Sequence, residues 1–126
     1  PSRFETKCGD AREPLPGSDY DIVLLANVLH LYGGRDCAEI VRRAFDAVAI
    51  DGSVVIKDVF VSPDRAGPTL GLYFSLNMAL YTEAGDVHPE PAISSWMRDA
   101  GLADVHSFNI PGLEGSNVVV GSKPPT

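Results

Sequence analysis

Two nearly continuous apolar segments, separated by one amphipathic segment, constrain the fold of this chain more than any other feature. Residues 21–29 and 53–61 are rich in branched aliphatic side chains, which is typical of β-strands covered on both faces. Between them, apolar residues recur at helical spacing from Asp36, a potential N-cap, to Val48. A strand, a helix and a second strand in this order predict a parallel pair joined by a helical crossover.

The flanking segments predict one more strand and two more helices. Residues 4–8 alternate apolar and polar side chains, which predicts a half-buried first strand. Residues 70–81 are long and apolar enough for a helix, and residues 92–100 predict another that ends at Gly101. The expected core contacts of these two helices are Leu72, Leu76, Met78, Leu80, Ile93, Trp96 and Met97.

The last third of the chain predicts an antiparallel hairpin. Residues 105–110 and 117–121 have strand composition, and the prolines and glycines between them favour a reversal of the chain. The complete pattern predicts an α/β fold with a mainly parallel sheet, helices on both of its faces, and the hairpin at one edge.

Composition narrows the classes of function. The chain has 126 residues, the size of one ordinary domain, and a net charge of -7 from 10 basic and 17 acidic residues. That balance argues against binding to nucleic acid or to an anionic membrane, since both require a basic face. No apolar run approaches the roughly 20 residues of a membrane span, and no signal peptide is visible. We therefore expect a cytoplasmic protein.

Cysteine and histidine spacing indicates neither a disulfide framework nor a metal site. Cys8 and Cys37 are expected to be free thiols in a reducing compartment. No pair of histidines or cysteines has the spacing of metal ligands. His88, in a predicted loop, and His106, in a predicted strand, are expected to contact solvent or to make local hydrogen bonds.

Three polar side chains follow the predicted strands, where open parallel sheets bind their ligands. Asp10 follows the first strand, His30 follows the second, and Asp58 lies toward the end of the third. An unperturbed imidazole titrates at about pH 6.5, so His30 could abstract a proton near neutrality. The sequence predicts that an acid, an imidazole and a second acid share one rim of the sheet.

Each of these residues also has a purely structural interpretation. His30 could end a strand and hydrogen-bond to a loop, and its position alone favours that role. Asp58 could orient an imidazole, hold a substrate hydroxyl, or pair with Lys57 or Arg65 at the surface. Asp10 could accept hydrogen bonds from a ligand amine, or it could simply form a turn.

The order of five segments resembles a known family of enzymes. The segments are 4–16 (FETKCGDAREPLP), 21–37 (DIVLLANVLHLYGGRDC), 52–61 (GSVVIKDVFV), 72–80 (LYFSLNMAL) and 96–102 (WMRDAGL). Together they resemble the C-terminal catalytic half of S-adenosylmethionine-dependent O-methyltransferases, the group with caffeate-type, hydroxyindole and polyketide enzymes. The resemblance implies that residues 1–126 are the C-terminal portion of the catalytic domain, with a partial Rossmann-like sheet whose first strands are missing.

The resemblance also implies roles for four residues. His30 corresponds to the general base that takes a proton from the substrate hydroxyl. Asp58 stands where family members often carry a glutamate that steadies this histidine, so both are candidate catalytic residues. Asp10 and Ala11 match residues that touch the adenine of the cofactor, S-adenosylmethionine.

The sequence departs from the family pattern at several positions. Leu31 and Tyr32 follow His30 where the family usually has Asp-Trp, a second family glutamate falls at Val87, and a family lysine falls at Ala26. The glycine-rich cofactor turn and the N-terminal dimerisation domain have no counterpart in these residues. We therefore expect a fragment of a longer enzyme, which forms a homodimer or associates with the missing segments.

Two functions of different classes follow as hypotheses. The first is transfer of a methyl group from S-adenosylmethionine to a hydroxyl of an aromatic or polyketide-like small molecule, with His30 as general base. The second is a non-catalytic fragment or binding domain of methyltransferase fold that lacks the cofactor glycine turn. A relative that uses the same fold and cofactor for decarboxylation or hydroxylation is a third possibility.

Overall fold

Strands and helices alternate along the chain, as the apolar pattern predicts. The computed structural model describes residues 2–126. The elements are β1 (Tyr20–Ala26), a 3-10 turn (Leu29–Leu31), α1 (Gly34–Ala47), β2 (Val48–Val59), α2 (Thr69–Tyr81), α3 (Glu90–Ala100), β3 (Ala103–Asn109) and β4 (Ser116–Ser122). Within residues 2–126, no helix is both long and apolar enough to cross a membrane.

The four described strands form one sheet in the order β1-β2-β4-β3. β1 and β2 are parallel, and Ala26 lies opposite Lys57 near the carboxyl end of both strands. β4 runs antiparallel to both β2 and β3, so that Ser116 lies opposite Val59. The sheet confirms the predicted α/β class with a C-terminal antiparallel hairpin, and it places the hairpin loop at the same rim as the ends of β1 and β2.

The main core lies between one face of the sheet and the helices α1 and α3. In α1, Ile40, Val41 and Ala44 are buried at the predicted helical spacing, and in α3 Ile93 and Met97 are buried as expected. Gly101 ends α3 with a φ of 111°, a left-handed conformation that glycine adopts without strain. These contacts hold the sheet rigidly beneath the rim that carries the polar side chains.

The predicted first strand is wrong. Residues 4–8 form no strand, and the Phe4 side chain is 75% exposed. Alternating polarity indicates which side of a strand would be buried, but a strand also needs a hydrogen-bonded neighbour. None of the residues that the structure describes pairs with this segment.

The expected helices on both faces of the sheet are found on one face of β1 only. Val23 and Leu25 point into the core, whereas Ile22 and Leu24 are 64% and 59% exposed. Both α1 and α3 pack against the side of Val23 and Leu25, which leaves the opposite side of β1 without a covering element in residues 2–126.

Helix α2 forms where predicted but does not bury the expected residues. Leu72, Leu76 and Leu80 are exposed, and Met78 is only partly buried. The helix is apolar on all sides, so its sequence does not specify which face packs inward. It joins the domain through Phe74, which packs on a small apolar cluster made of Val59, Val61 and Val87.

Candidate active site

His30 lies in the 3-10 turn that directly follows β1. The strand predicted over 21–29 ends at Ala26, because Asn27 adopts a φ of 58° and leaves the extended conformation. The chain then turns, and the fully buried Leu29 anchors the turn in the core. As a result, the His30 side chain is held at the carboxyl rim of the sheet with only 7% of the residue exposed.

The ring of His30 is bonded to the carboxylate of Asp58. Asp58 is the penultimate residue of β2, is 2% exposed, and has its Oδ1 atom 2.6 Å from Nδ1 of His30. The same Oδ1 accepts the Val59 N–H at 2.8 Å, and Oδ2 accepts the His30 N–H at 3.3 Å. Both oxygens are therefore satisfied, as a buried carboxylate requires.

The alternative prediction, that Asp58 pairs with Lys57 or Arg65, is wrong. Lys57 donates instead to the Asn27 side chain at 2.9 Å, and Arg65 forms an ion pair with Asp86 at 3.0 Å. In the structural interpretation of His30, the expected bond to a loop is wrong, because its ring partner is a strand residue. Of the three predicted rim residues, the structure brings His30 and Asp58 together.

The pairing determines which nitrogen of His30 is free. An ionised carboxylate only accepts hydrogen bonds, so in the neutral form of the ring Nδ1 carries the proton and Nε2 has the lone pair. Among residues 2–126, no hydrogen bond reaches Nε2. A neutral imidazole in this state can accept a proton from a bound hydroxyl group, while the carboxylate stabilises the imidazolium that forms.

An aromatic ring lies against the imidazole of His30, and a glycine lies against the backbone carbonyl of the same residue. The ring of Phe74 lies edge-on to it, with the ring centroids 4.7 Å apart and the planes at 73°. Val87, where the resemblance places a second glutamate, is fully buried in the cluster around Phe74. Gly85 lies so close to the His30 carbonyl that a Cβ at this position would overlap the oxygen. The bond to Asp58 is thus largely shielded from water, which strengthens it.

Asp10 lies in an exposed loop and not at a strand end. Its carboxylate accepts the backbone N–H of Arg12 at 2.9 Å, and Arg12 Nε and Nη2 at 3.0 and 2.7 Å. These hydrogen bonds lower the pKa of Asp10 to about 2. Arg12 also lies over the Tyr32 ring at 5.4 Å, which links this loop to the residues after His30. Ala11 packs in part against the core.

Within residues 2–126, no hydrogen bond or ion pair joins Asp10 to His30 or Asp58. The predicted grouping of two acids around one imidazole is therefore correct for one acid only. The pairing of Asp10 with Arg12, two residues away, matches its alternative role in forming a turn. It leaves the implied contact with a cofactor as a prediction.

The two cysteines and the two other histidines lie outside the His30–Asp58 pair. Cys8 is exposed and Cys37 is buried, and both are free, as predicted. His106 makes the expected local bond, to the Asp104 carbonyl at 2.8 Å. His88 reaches much further along the sequence, to the Tyr32 carbonyl at 2.9 Å. No three His, Cys, Asp or Glu side chains in the described part of the chain are grouped as metal ligands.

A groove of about 780 Å³ lies at the same rim, between the segment after β2 and the hairpin loop. Its lining includes Phe60, Val61, Pro68, Glu90, Leu113 and Asn117, but neither His30 nor Asp58. The groove is lined by two carboxylates, Glu90 and Glu114, and by no histidine, so the histidine–aspartate pair stays the candidate for proton transfer.

The chain is similar over most of its length to known methyl-transferring enzymes. A family model described as an O-methyltransferase domain matches residues 1–103. The 3-hydroxy-5-methyl-1-naphthoate 3-O-methyltransferase of Streptomyces sahachiroi is 34% identical, over 96% of this chain and 35% of the relative. The tetracenomycin polyketide synthesis 8-O-methyl transferase TcmO of Streptomyces glaucescens is 30% identical, over 89% of this chain and 32% of the relative.

The same similarity appears among solved structures. Human N-acetylserotonin methyltransferase, solved in complex with S-adenosylmethionine, superimposes with a TM-score of 0.81 and 25% identity. The match covers 94% of this chain and 33% of the human protein. The chain thus spans about a third of the length of each of these relatives. The resemblance seen in the sequence is confirmed, and the chain belongs to the O-methyltransferase domain family.

Proposed function

We propose that the chain is the acceptor-activating part of an S-adenosylmethionine-dependent O-methyltransferase that acts on a hydroxyl of an aromatic or polyketide-like small molecule. The observation that carries this proposal is the buried contact of 2.6 Å between His30 and Asp58 at the rim of the sheet. It supports a neutral imidazole that is oriented on one side and free to accept a proton on the other.

In the proposed mechanism, Nε2 of His30 accepts the proton of the acceptor hydroxyl as the oxygen becomes a nucleophile. Asp58 acts as a positioning residue, which holds the ring in one tautomer and stabilises the positive charge that develops on it. General-base assistance of this kind contributes about 10²- to 10⁴-fold to a rate. The buried position of both residues removes competing water from the proton transfer.

The cofactor would supply an electrophilic methyl group on a sulfonium. Arg12 takes three acceptor positions of the Asp10 carboxylate, which offers about four, so one remains for the amine of an adenine. Ala11, the next residue, packs in part against the core. Asp10 thus offers an acceptor for the amine of the adenine, and we propose Asp10 and Ala11 as its contacts.

The relatives favour an aromatic hydroxyl as the acceptor. Their names specify a hydroxynaphthoate, the polyketide tetracenomycin and N-acetylserotonin. A phenol ionises at about pH 10, far below an aliphatic alcohol, so a neutral imidazole is a sufficient base. Homodimerisation and a cytoplasmic location stay predictions from the resemblance and the composition.

The proposal is tested by His30→Ala in the whole protein, with methyl transfer to a panel of hydroxylated aromatics as the readout. We expect turnover to fall by at least about 100-fold, with the cofactor Kd unchanged within about twofold by calorimetry. His106→Ala is the matched control, because it removes an exposed imidazole whose hydrogen bond goes to the Asp104 carbonyl, two residues away. Unchanged turnover in His30→Ala would remove His30 from the mechanism. A wild-type protein that neither binds the cofactor nor methylates anything in the panel would favour the binding-domain hypothesis.

A further inference from the structure

The turn that carries His30 is held at both ends by side chains from other segments. The carbonyl of Leu29 accepts the Cys37 thiol, with Sγ 3.2 Å from the oxygen. The carbonyl of Tyr32 lies 2.9 Å from Nε2 of His88, and Cys37 Sγ lies 3.3 Å from the same nitrogen. We refer to these two side chains and two carbonyls as the anchor cluster. His30 lies between the two carbonyls in sequence.

The protons in the anchor cluster can be assigned from the chemistry of its members. A carbonyl oxygen has no proton to give, so Nε2 of His88 is the donor to Tyr32. The thiol donates to the Leu29 carbonyl at 3.2 Å, the nearer of its two acceptors, and the other acceptor is the Tyr32 carbonyl at 3.5 Å. The His88 ring is also fixed edge-on against Trp96, with the centroids 5.1 Å apart. Each carbonyl thus receives a directed bond from outside the turn.

This pairing of a cysteine with a histidine differs from that of a nucleophile and its base. Cys37 is fully buried, and burial, followed by the nearby charges of Asp58 and Asp36, raises the pKa of its thiol to about 12. The thiol therefore stays protonated at neutral pH, which is the state in which it can donate. Nucleophilic cysteines require the opposite environment, because the thiolate is the reactive form.

The segment that carries His88 also supports the turn at a second point. Gly85 lies against the carbonyl of His30 itself, with no room for a Cβ between them. Gly85 and His88 are three residues apart and contact carbonyls two residues apart, His30 and Tyr32. Movement of this segment would thus be transmitted to the backbone of the general base.

We propose that Cys37 and His88 are positioning residues for His30, which fix the turn so that Nδ1 meets Asp58 and Nε2 faces the acceptor. This inference rests on the proposed function of His30 as general base. Loss of either donor removes the bond that ties one end of the turn to another segment, although the Leu29 carbonyl keeps the Tyr32 N–H at 3.1 Å. We expect the ring of His30 to become mobile relative to Asp58, with a mixture of its two tautomers.

The experiment compares His88→Leu, which removes the donor, with His88→Gln, whose amide can still donate to Tyr32. His106→Leu is the matched control, because that exposed imidazole bonds locally, to the Asp104 carbonyl two residues away. The readouts are the ¹⁵N spectrum of the His30 ring, which reports its tautomer, and kcat and KM for methyl transfer. We expect His88→Leu to give mixed tautomers and a kcat about 10-fold lower at similar KM, and His88→Gln to restore both.

A second pair of variants keeps the inference falsifiable. Cys37→Ala removes the thiol donor, whereas Cys37→Ser retains one. Wild-type spectra and wild-type kcat in both His88→Leu and Cys37→Ala would overturn the proposal. If these two variants do not fold, the conservative variants decide, because a mixed tautomer in His88→Gln or Cys37→Ser would contradict it. The ¹⁵N readout needs no turnover, so failure of this inference is separable from failure of His30 as the base.

Discussion

Asp58 and Asp10, the two carboxylates predicted for the site, accept hydrogen bonds from partners at very different distances along the chain. Asp58 is buried and bonds to His30, 28 residues away, whereas Asp10 is exposed and bonds to Arg12, two residues away. A long-range bond in a dry environment requires the whole fold to be in place, so it fixes a geometry that chemistry can use. A short-range exposed pair can form without the rest of the fold, and it contributes little to the stability of the folded state.

The comparison predicts its largest effect at Asp58. In Asp58→Asn, the amide can donate to Nδ1 of His30, which favours the tautomer with the proton on Nε2 and removes the basic lone pair. We expect kcat to fall by about 10²- to 10⁴-fold with the cofactor Kd unchanged, as measured by methyl-transfer kinetics and calorimetry. Asp58→Glu, which keeps an acceptor, is the matched control. Equal loss of activity in Asp58→Glu and Asp58→Asn would show that size and not proton placement matters.

Removal of the Asp10 carboxyl has a smaller and different effect. Asp10→Asn keeps the shape of the side chain but weakens its bonds to Arg12 and to an adenine amine. We expect the Kd for S-adenosylmethionine to rise by about 10-fold, consistent with the loss of one charge-assisted hydrogen bond, while kcat at saturating cofactor stays unchanged. Calorimetry and steady-state kinetics on the whole protein measure the two quantities. A fall in kcat without a change in Kd would assign Asp10 to the chemistry and erase its contrast with Asp58.

The two cysteines extend the comparison to reactivity. At pH 8, iodoacetamide should modify exposed Cys8 readily and leave Cys37 unmodified, because Cys37 is buried and its thiol has a pKa of about 12. An unfolded thiol ionises at about pH 8.5. The stabilising effect of keeping Cys37 protonated is therefore complete below that pH and is lost as pH rises toward 12. Mass spectrometry of the modified protein measures the first effect, and modification of both thiols at equal rates would contradict it.

The smallest expected effect is in the titration of Asp10. Its bonds to Arg12 lower its pKa from 3.8 to about 2, so the pair persists as pH falls until the carboxyl is protonated near that value. Since the pair is exposed, its loss should scarcely change the stability of the fold. In Arg12→Ala, the carboxyl ¹³C titration of Asp10 should return toward the ordinary value. A midpoint that does not move would assign the low pKa to another group.

The sequence predicted the strands that carry the site residues more completely than it predicted the contacts between those residues. The apolar strands at 21–29 and 53–61 predicted a parallel pair, and the rule for strand ends then singled out His30 and Asp58 correctly and Asp10 incorrectly. That these two side chains bond to each other depends on the parallel register of β1 and β2, which brings the ends of both strands to one rim. Residue types alone left the partner of Asp58 open.

Other features could not be read from a pattern. Residues 4–8 alternate correctly, but the sequence does not reveal whether a neighbouring strand is available. Helix α2 is apolar on every side, so no amphipathic signal indicated that Phe74 is the residue facing His30. The contact of His88 with Tyr32 joins segments 56 residues apart, and only the packing of the loop before α3 against the turn creates it. Gly85 is the one feature of this region that the sequence could have indicated, since an isolated glycine often marks a close approach of two backbone segments.

The most direct test of the account is chemical rescue of His30→Ala by free imidazole. The cavity left by the side chain lies beside Asp58, so an added imidazole can occupy it and accept the acceptor proton. We predict that methyl transfer by His30→Ala, reduced at least about 100-fold, rises with imidazole concentration and follows the fraction of imidazole in its neutral form as pH is varied. A wild-type rate in His30→Ala without imidazole would contradict the claim that His30, oriented by Asp58, is the base.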